Sequence, residues 1–405
     1  MRKNRTLRFR RREAPVEDVE QVSRFYHQLQ DERHVASSGR IDALLRRTST
    51  DRLPELVEDP ILRTFAAIEY LGKLVPDILA ADPHRAKVIA ELEISLIENL
   101  PPNTYHPVTI VQLRSYAWRD LGMVLRILGQ LQESLDAFAT AERDLHHHGA
   151  LRHDIALVRL SVSATLQELE RFEEARKLIG QSKRIFGHHG DDKRLVLATI
   201  TEAVLLQRMK LHREAREIYR LLLSSGVPLE IPLLAAIHRG IGFASTELGD
   251  YADAEVNLIR SIHLNLQLAQ PVEVIRGQYA FGRLLVRRGD VEKAIAYLRP
   301  VRREFLQNAL TEEAGLCGLE IVEALLTLGK YSTAETLARR IISEFSKAGL
   351  NKRAITALGY LKEALAASNA STALVKTVRD YIVSLRTSPK RDFLPLYLTV
   401  SREPD

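Results

Sequence analysis

From about residue 113 onward, apolar residues recur at steps of three and four in paired segments that the chain repeats six times. Such spacing places them in one stripe along an α-helix, and the stripe needs a second helix to cover it. Residues 116–141 (YAWRDLGMVLRILGQLQESLDAFATA) show two such stripes separated by Gly129. Glycine commonly ends a helix. The pattern therefore predicts a helical hairpin at each repeat.

The register of the repeats is set by small residues in both helices of each hairpin. The small residue that opens each second helix is Ser134, Ala175, Ala215, Ala254, Ala294 and Ala334, at spacings of 39 to 41 residues. The close-packing positions of the first helices are Gly122, Ser163, Ala203, Gly242, Gly282 and Val322. The turn glycine is missing from the second and third copies, yet their register holds.

The first clear copy has Trp118, then Leu121 and Gly122, then Leu125, Gly129, Leu131, Ser134, Phe138 and Ala141. This spacing resembles the tetratricopeptide repeat, with His212 in the third copy standing where an aromatic residue is usual. The period near 40 exceeds the ~34 of the standard repeat and is similar to tetratricopeptide domains of bacterial regulators, including peptide-sensing types. The resemblance implies an all-α fold, a right-handed α-solenoid of stacked helical hairpins whose first helices line a concave face.

Four regions are expected along the chain: a basic disordered tail at 1–15, short helices within 16–58, the solenoid at 59–387, and a C-terminal tail at 388–405. The solenoid comprises a degenerate hairpin at 61–100, six repeats at about 113–347, and a capping hairpin at 352–387. Atypical terminal hairpins are typical of stacks that must close their ends. The short helices are expected at Val16–His34, Ile41–Arg47 and Asp51–Val57, without helix-turn-helix spacing, which weakens a direct DNA-binding interpretation.

The charge of the chain is concentrated in its first twelve residues. The formal net charge is +6, and the tail contributes +7 through Arg2, Lys3, Arg5, Arg8, Arg10, Arg11 and Arg12. The rest of the chain is therefore close to neutral, at −1. Such a tail can hold a phosphate-rich partner such as nucleic acid, or it can be a solvated terminus.

Several classes of chemistry are disfavoured by the composition and motifs. No apolar run reaches the ~18 residues of a membrane span, so we expect a soluble, cytoplasmic protein without a membrane partner. Known nucleotide-binding and catalytic motifs are missing, and Cys317 is the single cysteine, within an apolar helix, so we expect no enzyme activity and no cofactor. His146–His148 and His188–His189 precede Gly149 and Gly190, where histidine suits a helix C-terminus better than a metal.

The concave face supplies the candidate binding site. Its exposed stripe is expected at offsets −6, −3, +1, +4 and +5 from each close-packing residue. The candidate groove residues are Tyr116, Arg119, Met123, Arg126, Arg208, Arg239, Phe243, Arg276, Tyr279, Arg283 and Arg287. The stripe holds only three acids, Glu168, Glu247 and Glu323, so its net charge is +4. Arginine beside aromatic rings is typical of a protein-binding surface, although a solvated face with intrahelical ion pairs is the alternative.

The sequence thus predicts an interaction scaffold or bacterial-type regulator that binds a protein or peptide segment, expected to be acidic, in its concave groove. The first alternative is a nucleic-acid-associated transcriptional regulator that uses the basic tail. A metal-binding protein or an enzyme is a more distant alternative. The apolar segment Phe393–Leu398 is expected to fold back over the last helix, and pairing with another subunit is its alternative; the oligomeric state is not determined by these patterns.

Overall fold

A computed structural model describes residues 28, 30–32, 38–79, 82–100, 105–146, 151–385, 391 and 393. Within these ranges the regular structure is helical, which confirms the predicted all-α class. The chain forms two compact units, Met1–Leu151 and Arg152–Asp405. The basic tail and most of the predicted Val16–His34 helix lie outside the described residues. The predicted domain limits stay predictions.

The first unit contains two short helices, a hairpin and the first repeat. Its helices are α1 (Ser38–Arg47), a 3-10 helix (Thr50–Glu58), α2 (Phe65–Leu79), α3 (Pro83–Glu98), α4 (Pro107–Ile127) and α5 (Leu131–His146). Each second helix covers the apolar stripe of the one before it, and α3 also packs against α4. The degenerate hairpin predicted at 61–100 is therefore present as α2 and α3.

The second unit contains repeats two to six and a final hairpin. Its helices are α6 (Arg152–Glu168), α7 (Phe172–His189), α8 (Asp192–Arg208), α9 (His212–Ser224), α10 (Ile231–Glu247), α11 (Tyr251–Gln267), α12 (Pro271–Arg288), α13 (Val291–Gln307), α14 (Thr311–Thr327), α15 (Tyr331–Lys347), α16 (Lys352–Ala366) and α17 (Thr372–Ser384). Every predicted hairpin of this region is found at its expected place. The hairpin prediction from periodicity is confirmed.

The turn inside each hairpin uses a left-handed residue. Four of the six turns place a glycine there: Gly129, Gly249, Gly289 and Gly329. In the two copies that lack the glycine, Glu170 and Lys210 take the same conformation, with φ of 57° and 61°. Glycine enters this region without steric cost, whereas other residues are disfavoured there. The register thus holds in the second and third repeats because packing imposes the turn.

Close approach of the paired helices explains the glycines of the first helices. A Cβ atom on Gly122 would lie 2.7 Å from the Phe138 ring, and one on Gly242 would lie 2.6 Å from Leu258. Gly282 faces Leu298 in the same way. These distances are shorter than van der Waals contact allows, so the side chain of the second helix occupies the space that a larger residue would need. The predicted register is confirmed at these positions.

The first helices lie on the inside of the curve of the second unit. Contacts link consecutive first helices, namely α6 with α8, α8 with α10, α10 with α12, and α12 with α14. Consecutive second helices, by contrast, make marginal contact at most. A stack whose first helices approach each other more closely is concave on that side. We call the solvent-facing surface of α6, α8, α10, α12 and α14 the inner face.

The final hairpin departs from the repeat geometry. Its second helix, α17, packs against α14 of the sixth repeat as well as against its own partner, α16. It buries Val375, Val378 and Ile382 there. Because α14 belongs to the inner face, α17 covers the C-terminal end of that face, an arrangement that periodicity alone does not predict.

The C-terminal apolar segment begins against this last hairpin. The Phe393 ring lies 4.9 Å from the Tyr381 ring and 5.7 Å from the Tyr360 ring, measured between centroids. The Tyr381 hydroxyl donates a hydrogen bond to the Arg391 carbonyl oxygen at 2.6 Å. Phe393 therefore follows the expectation that this segment folds back, while residues 394–398 lie outside the described part of the chain.

Candidate binding face

The candidate groove residues of the first unit lie together on α4. The Arg119 guanidinium lies 5.1 Å from the centre of the Tyr116 ring and 2.9 Å from the Asp120 carboxylate. Met123 and Arg126, on the same helix, are half-buried. This group belongs to the first unit and is described separately from the inner face of the second unit.

A buried pair of carboxyl groups accompanies this cluster. Glu93 on α3 and Asp120 on α4 are each 2% exposed, and both face the space left open by Gly72. Burial raises the pKa of Glu93 well above its ordinary value, and the neighbouring Asp120 adds to the rise. Burial also raises the pKa of Asp120, although Arg119 opposes it. Sequence analysis missed this pair because both acids fall outside the predicted stripe.

In the second unit, Arg239 and Arg276 converge on one carboxylate. Both guanidinium groups pair with Glu273, Arg239 from α10 and Arg276 from the same helix as Glu273 at 2.7 Å. Arg276 also lies 3.5 Å from Glu313 on α14. Burial acts to raise the pKa of Glu273, but the two arginines outweigh it and the pKa is lowered. Glu273 is therefore a charged link between neighbouring helices.

Arg283 is also part of an ion-paired network. Its guanidinium lies 5.4 Å from the centre of the Phe243 ring, and its Nε atom lies 3.0 Å from the Glu320 carboxylate. It also reaches Glu247 at 3.4 Å. Tyr279 packs edge-on against Phe305 with 5.9 Å between ring centroids, and burial raises the pKa of its hydroxyl. These side chains connect α10, α12 and α14.

The last of the described helices, α17, joins the same network. Arg287 on α12 lies 3.1 Å from Glu323 on α14. Arg379 on α17 lies 2.8 Å from Glu320 and 2.9 Å from Glu323. Arginines of two different helices therefore share these two carboxylates.

The charge of the inner face consequently differs from the +4 of the predicted stripe. Glu273, Glu313 and Glu320 lie outside the stripe offsets, yet they reach its arginines. The ion pairs run mainly between helices rather than within one helix, which was the alternative considered from sequence. Four of the predicted groove arginines, Arg239, Arg276, Arg283 and Arg287, are therefore balanced by acids that only the fold brings close.

The inner face of the third repeat is apolar instead. On α8, Leu197 is 42% exposed and Val204 is 37% exposed. Val204 occupies the position that Phe243 has in the next repeat, and Arg208 lies exposed one turn further along. Both apolar residues fall on the predicted stripe, at offsets −6 and +1 from Ala203, but they are not among the candidate groove residues because periodicity does not reveal exposure.

The histidine pair His188 and His189 lies at a helix end, as expected. His188 and His189 occupy the last turn of α7, and Gly190 follows in the left-handed conformation at φ 66°. The Nε2 atom of His153 lies 2.8 Å from the Asp191 carboxylate. Within the described ranges no group of three or more His, Cys, Asp or Glu residues is arranged to hold a metal ion. His147, His148 and Gly149 lie outside those ranges.

The structure also bears on Cys317 and on the membrane-spanning potential of the helices. Cys317 is fully buried in α14, with its Sγ atom 3.6 Å from the Leu298 carbonyl oxygen, and burial raises the pKa of the thiol. It is a core residue, as predicted. Among the helices of the described residues, none combines the length and apolar character needed to cross a membrane.

Solved structures with the same arrangement of helices show which fold this is. A signal-transduction ATPase of the STAND class from Pyrococcus horikoshii, which carries a tetratricopeptide repeat sensor, matches with a TM-score of 0.54 at 13% identity. The match covers 89% of this chain but only 52% of that protein, so the chain spans about half its length. The apo form of RapI matches with a TM-score of 0.50 at 14% identity, over 91% of this chain and 99% of RapI.

Comparisons of sequence alone, unlike those of structure, find no related protein. No protein-family model matches the chain, and no curated protein sequence matches it significantly. The low identity to the solved structures means that the likeness concerns the fold. Together with the helix order and the repeat register, it supports one identification. In its fold, the chain is a tetratricopeptide-like helical-repeat protein.

Proposed function

We propose that the protein is an interaction scaffold or regulator that binds a protein or peptide segment on the inner face of its second unit. The observation that carries this proposal is the exposure of Leu197 and Val204 on α8, a helix in contact with α10, which carries the partly exposed Arg239. Apolar side chains that stay exposed on a concave surface are candidates for contact with a partner. Arginine next to them adds a group that can grip carboxylates or peptide carbonyls.

The structure modifies the expected chemistry of the partner. An acidic segment would have to compete with Glu273, which already holds Arg239 and Arg276. Apolar anchors therefore carry more of the proposed recognition than charge does, with the arginines setting orientation. A partner segment with apolar residues facing α8 and one or two acids facing α10 and α12 fits this surface.

The basic tail supports a second candidate function. Its seven basic residues suit binding to nucleic acid, which would make the protein a nucleic-acid-associated regulator. The tail lies outside the described residues, so this candidate depends on sequence alone. The sensor role that the matched STAND protein assigns to its repeats favours the first candidate, a regulator that recognises another molecule through the solenoid.

A double substitution on the inner face tests the proposal. Partners are first captured with the intact protein from extract of the source cell, and their affinities are then measured with purified components. Changing Leu197→Asp and Val204→Asp together should weaken binding at least tenfold, since both side chains are anchors. Both are solvent-exposed, so the melting temperature should change little.

The matched control lies on the outer side of the same repeat. Leu221 on α9 is 67% exposed, so Leu221→Asp introduces a charge at an exposed apolar position without touching the inner face. It should retain the partners. Equal retention by the double variant and the control would place the binding surface elsewhere. Arg283→Glu is unsuitable here because it would place a second carboxylate beside the buried Glu320.

A further inference from the structure

The last of the described helices, α17, covers part of the inner face, on which we propose that a partner binds. Leu316 on α14 has the same position in its repeat as Leu197 has in the third repeat. Leu197 is exposed, whereas Leu316 is buried together with Leu319 and Leu326. The helix α17 packs on α14, and among the described helices none packs in this way on α8. At the sixth repeat, the chain therefore supplies its own occupant of the inner face.

This occupant is held by charges as well as by apolar contacts. Arg379 of α17 is 8% exposed in its side chain and lies within 2.9 Å of both Glu320 and Glu323. The same two carboxylates hold Arg283 and Arg287 of α12. A partner acid that engages either of these α12 arginines would thus compete with the two carboxylates that also anchor α17.

The charged anchor is costly to bury. Glu320 is 1% exposed, and neither of its carboxylate oxygens has a partner with hydrogen-bond geometry, although Arg283 and Arg379 lie nearby. Burying an ion pair costs free energy because both charges lose their hydration. The attraction between the charges offsets this cost only when their hydrogen bonds are well made. If α17 leaves, Arg379 and Glu323 regain water. The ion pairs of Arg379 therefore add less to the docking of this helix than their number suggests.

The helix itself is a small unit. It has 13 residues, and it follows a short turn in which Ser368 adopts a positive φ of 54°. A helix of this length is marginal in water without packing. Its docked state depends on a few side chains, namely Val375, Val378, Arg379, Tyr381 and Ile382.

We propose that α17 is an internal competitor for the inner face: it covers the sixth repeat while the face is empty and is displaced when a bound protein segment extends onto α12 and α14. The competition rests on the proposed function, whereas reversible docking of α17 does not. Displacement opens the part of α14 on which α17 packs, which lengthens the surface available to the partner. Full affinity would therefore require the partner to reach the sixth repeat.

Hydrogen exchange of the full chain tests the docking directly. In the intact protein, amides of 372–384 should exchange at least tenfold faster than those of 311–327 and 352–366. Arg379→Ala should speed exchange in 372–384 further and leave 231–288 unchanged. A matched control is Arg339→Ala, which removes an exposed ion pair with Glu335 on α15 of the same repeat and should leave 372–384 unaffected.

Two results would overturn reversible docking. One is exchange in 372–384 as slow as in 311–327, and the other is an effect of Arg379→Ala that spreads evenly over 231–288. Val378→Asp is a second variant expected to release α17. It introduces a charge at a buried apolar position, whereas Arg379→Ala removes a charge.

The competition between α17 and a partner is tested with the partner captured from cell extract in the test of the proposed function. Arg379→Ala should increase its affinity at least threefold, and added partner should speed exchange in 372–384 of the intact protein. A bound partner that leaves 372–384 protected would refute the competition. Local opening of α17 in a protein that captures no partner on the inner face would instead refute the proposed function and leave reversible docking standing.

Discussion

At the scale of single residues, the protein carries charges whose partners come from other helices. Arg239 and Glu273 are 34 positions apart, and Arg379 and Glu323 are 56 apart. The sequence identifies which arginines share a stripe, because the stripe follows from one helix's periodicity. It does not identify their counter-ions, since those depend on how neighbouring helices are rotated against each other. The sequence therefore predicts which arginines share a helix face but not which acids neutralise them.

The buried Glu93 and Asp120 pair makes the stability of the first unit depend on pH. The pKa values of both carboxyl groups are raised in the folded state. Their contribution to the stability of the folded protein is therefore fully present when the pH is below their ordinary pKa values of 4.5 and 3.8. The contribution is lost as the pH rises through the raised values. Glu93→Gln removes the buried charge and should stabilise the protein at pH 7 by about 1 kcal/mol or more.

Thermal melting between pH 4 and pH 8 measures this effect. The gain from Glu93→Gln should shrink toward pH 4, where the glutamate itself is protonated. Glu91→Gln is the control, because Glu91 lies on the same helix, is exposed and faces Lys87. A loss of stability in Glu93→Gln at pH 7 would show that the charged carboxylate is favourably solvated or paired.

At the scale of helices and hairpins, glycine positions distinguish close packing from open surface. Gly242 faces Leu258 across the hairpin, so Gly242→Leu should cost more than about 1 to 3 kcal/mol of overpacking. Gly180 lies inside α7 with no atom within 4 Å of the space for its side chain. Gly180→Leu should therefore be neutral or stabilising, since glycine is a poor helix former.

Chemical denaturation of the two glycine variants checks this prediction. The expected order of stability is Gly180→Leu, then the unchanged protein, then Gly242→Leu. Equal stability of the Gly242→Leu variant and the unchanged protein would mean that α10 and α11 separate without cost, which is incompatible with the repeat register.

The final hairpin shows which features of a helix pair can be predicted from periodicity. The helices α16 and α17 both lie within the range 352–387 that periodicity predicts for the capping hairpin. Their arrangement differs from a regular repeat, because α17 turns onto α14. Periodicity states which side of α17 is apolar, but it does not say which helix covers that side.

At the scale of the whole molecule, the basic tail is expected to be independent of the folded units. Residues 1–12 contain no periodic apolar stripe, so deleting them should leave the melting temperature unchanged. If the tail binds nucleic acid, binding by the intact protein should fall steeply with added salt, and the truncated protein should bind almost none. Fluorescence anisotropy with labelled DNA and RNA at several salt concentrations measures both.

A melting temperature that falls by several degrees on deletion would instead show that the tail is docked on a folded unit. Binding that survives deletion would move the nucleic-acid site to the helices. Replacing the seven basic residues with serine, at constant length, separates the effect of charge from that of chain length.

The sequence by itself determined the fold class, the number of hairpins and their register. It could do so because each hairpin follows from local spacing: apolar steps of three and four, a left-handed turn, and a small residue where helices meet. The repetition of that pattern six times made the inference secure even where Glu170 and Lys210 replace the turn glycine.

Tertiary structure alone decided which of these surfaces is open, paired or covered. Leu197 and Leu316 have equivalent positions in their repeats, yet only Leu197 is exposed, and only α14 of these two helices has α17 packed on it. Glu273 and Glu320 neutralise arginines of the inner face across helix boundaries. Exposure and ion pairing depend on contacts between residues far apart in the chain, and the periodicity of a single helix contains no information about them.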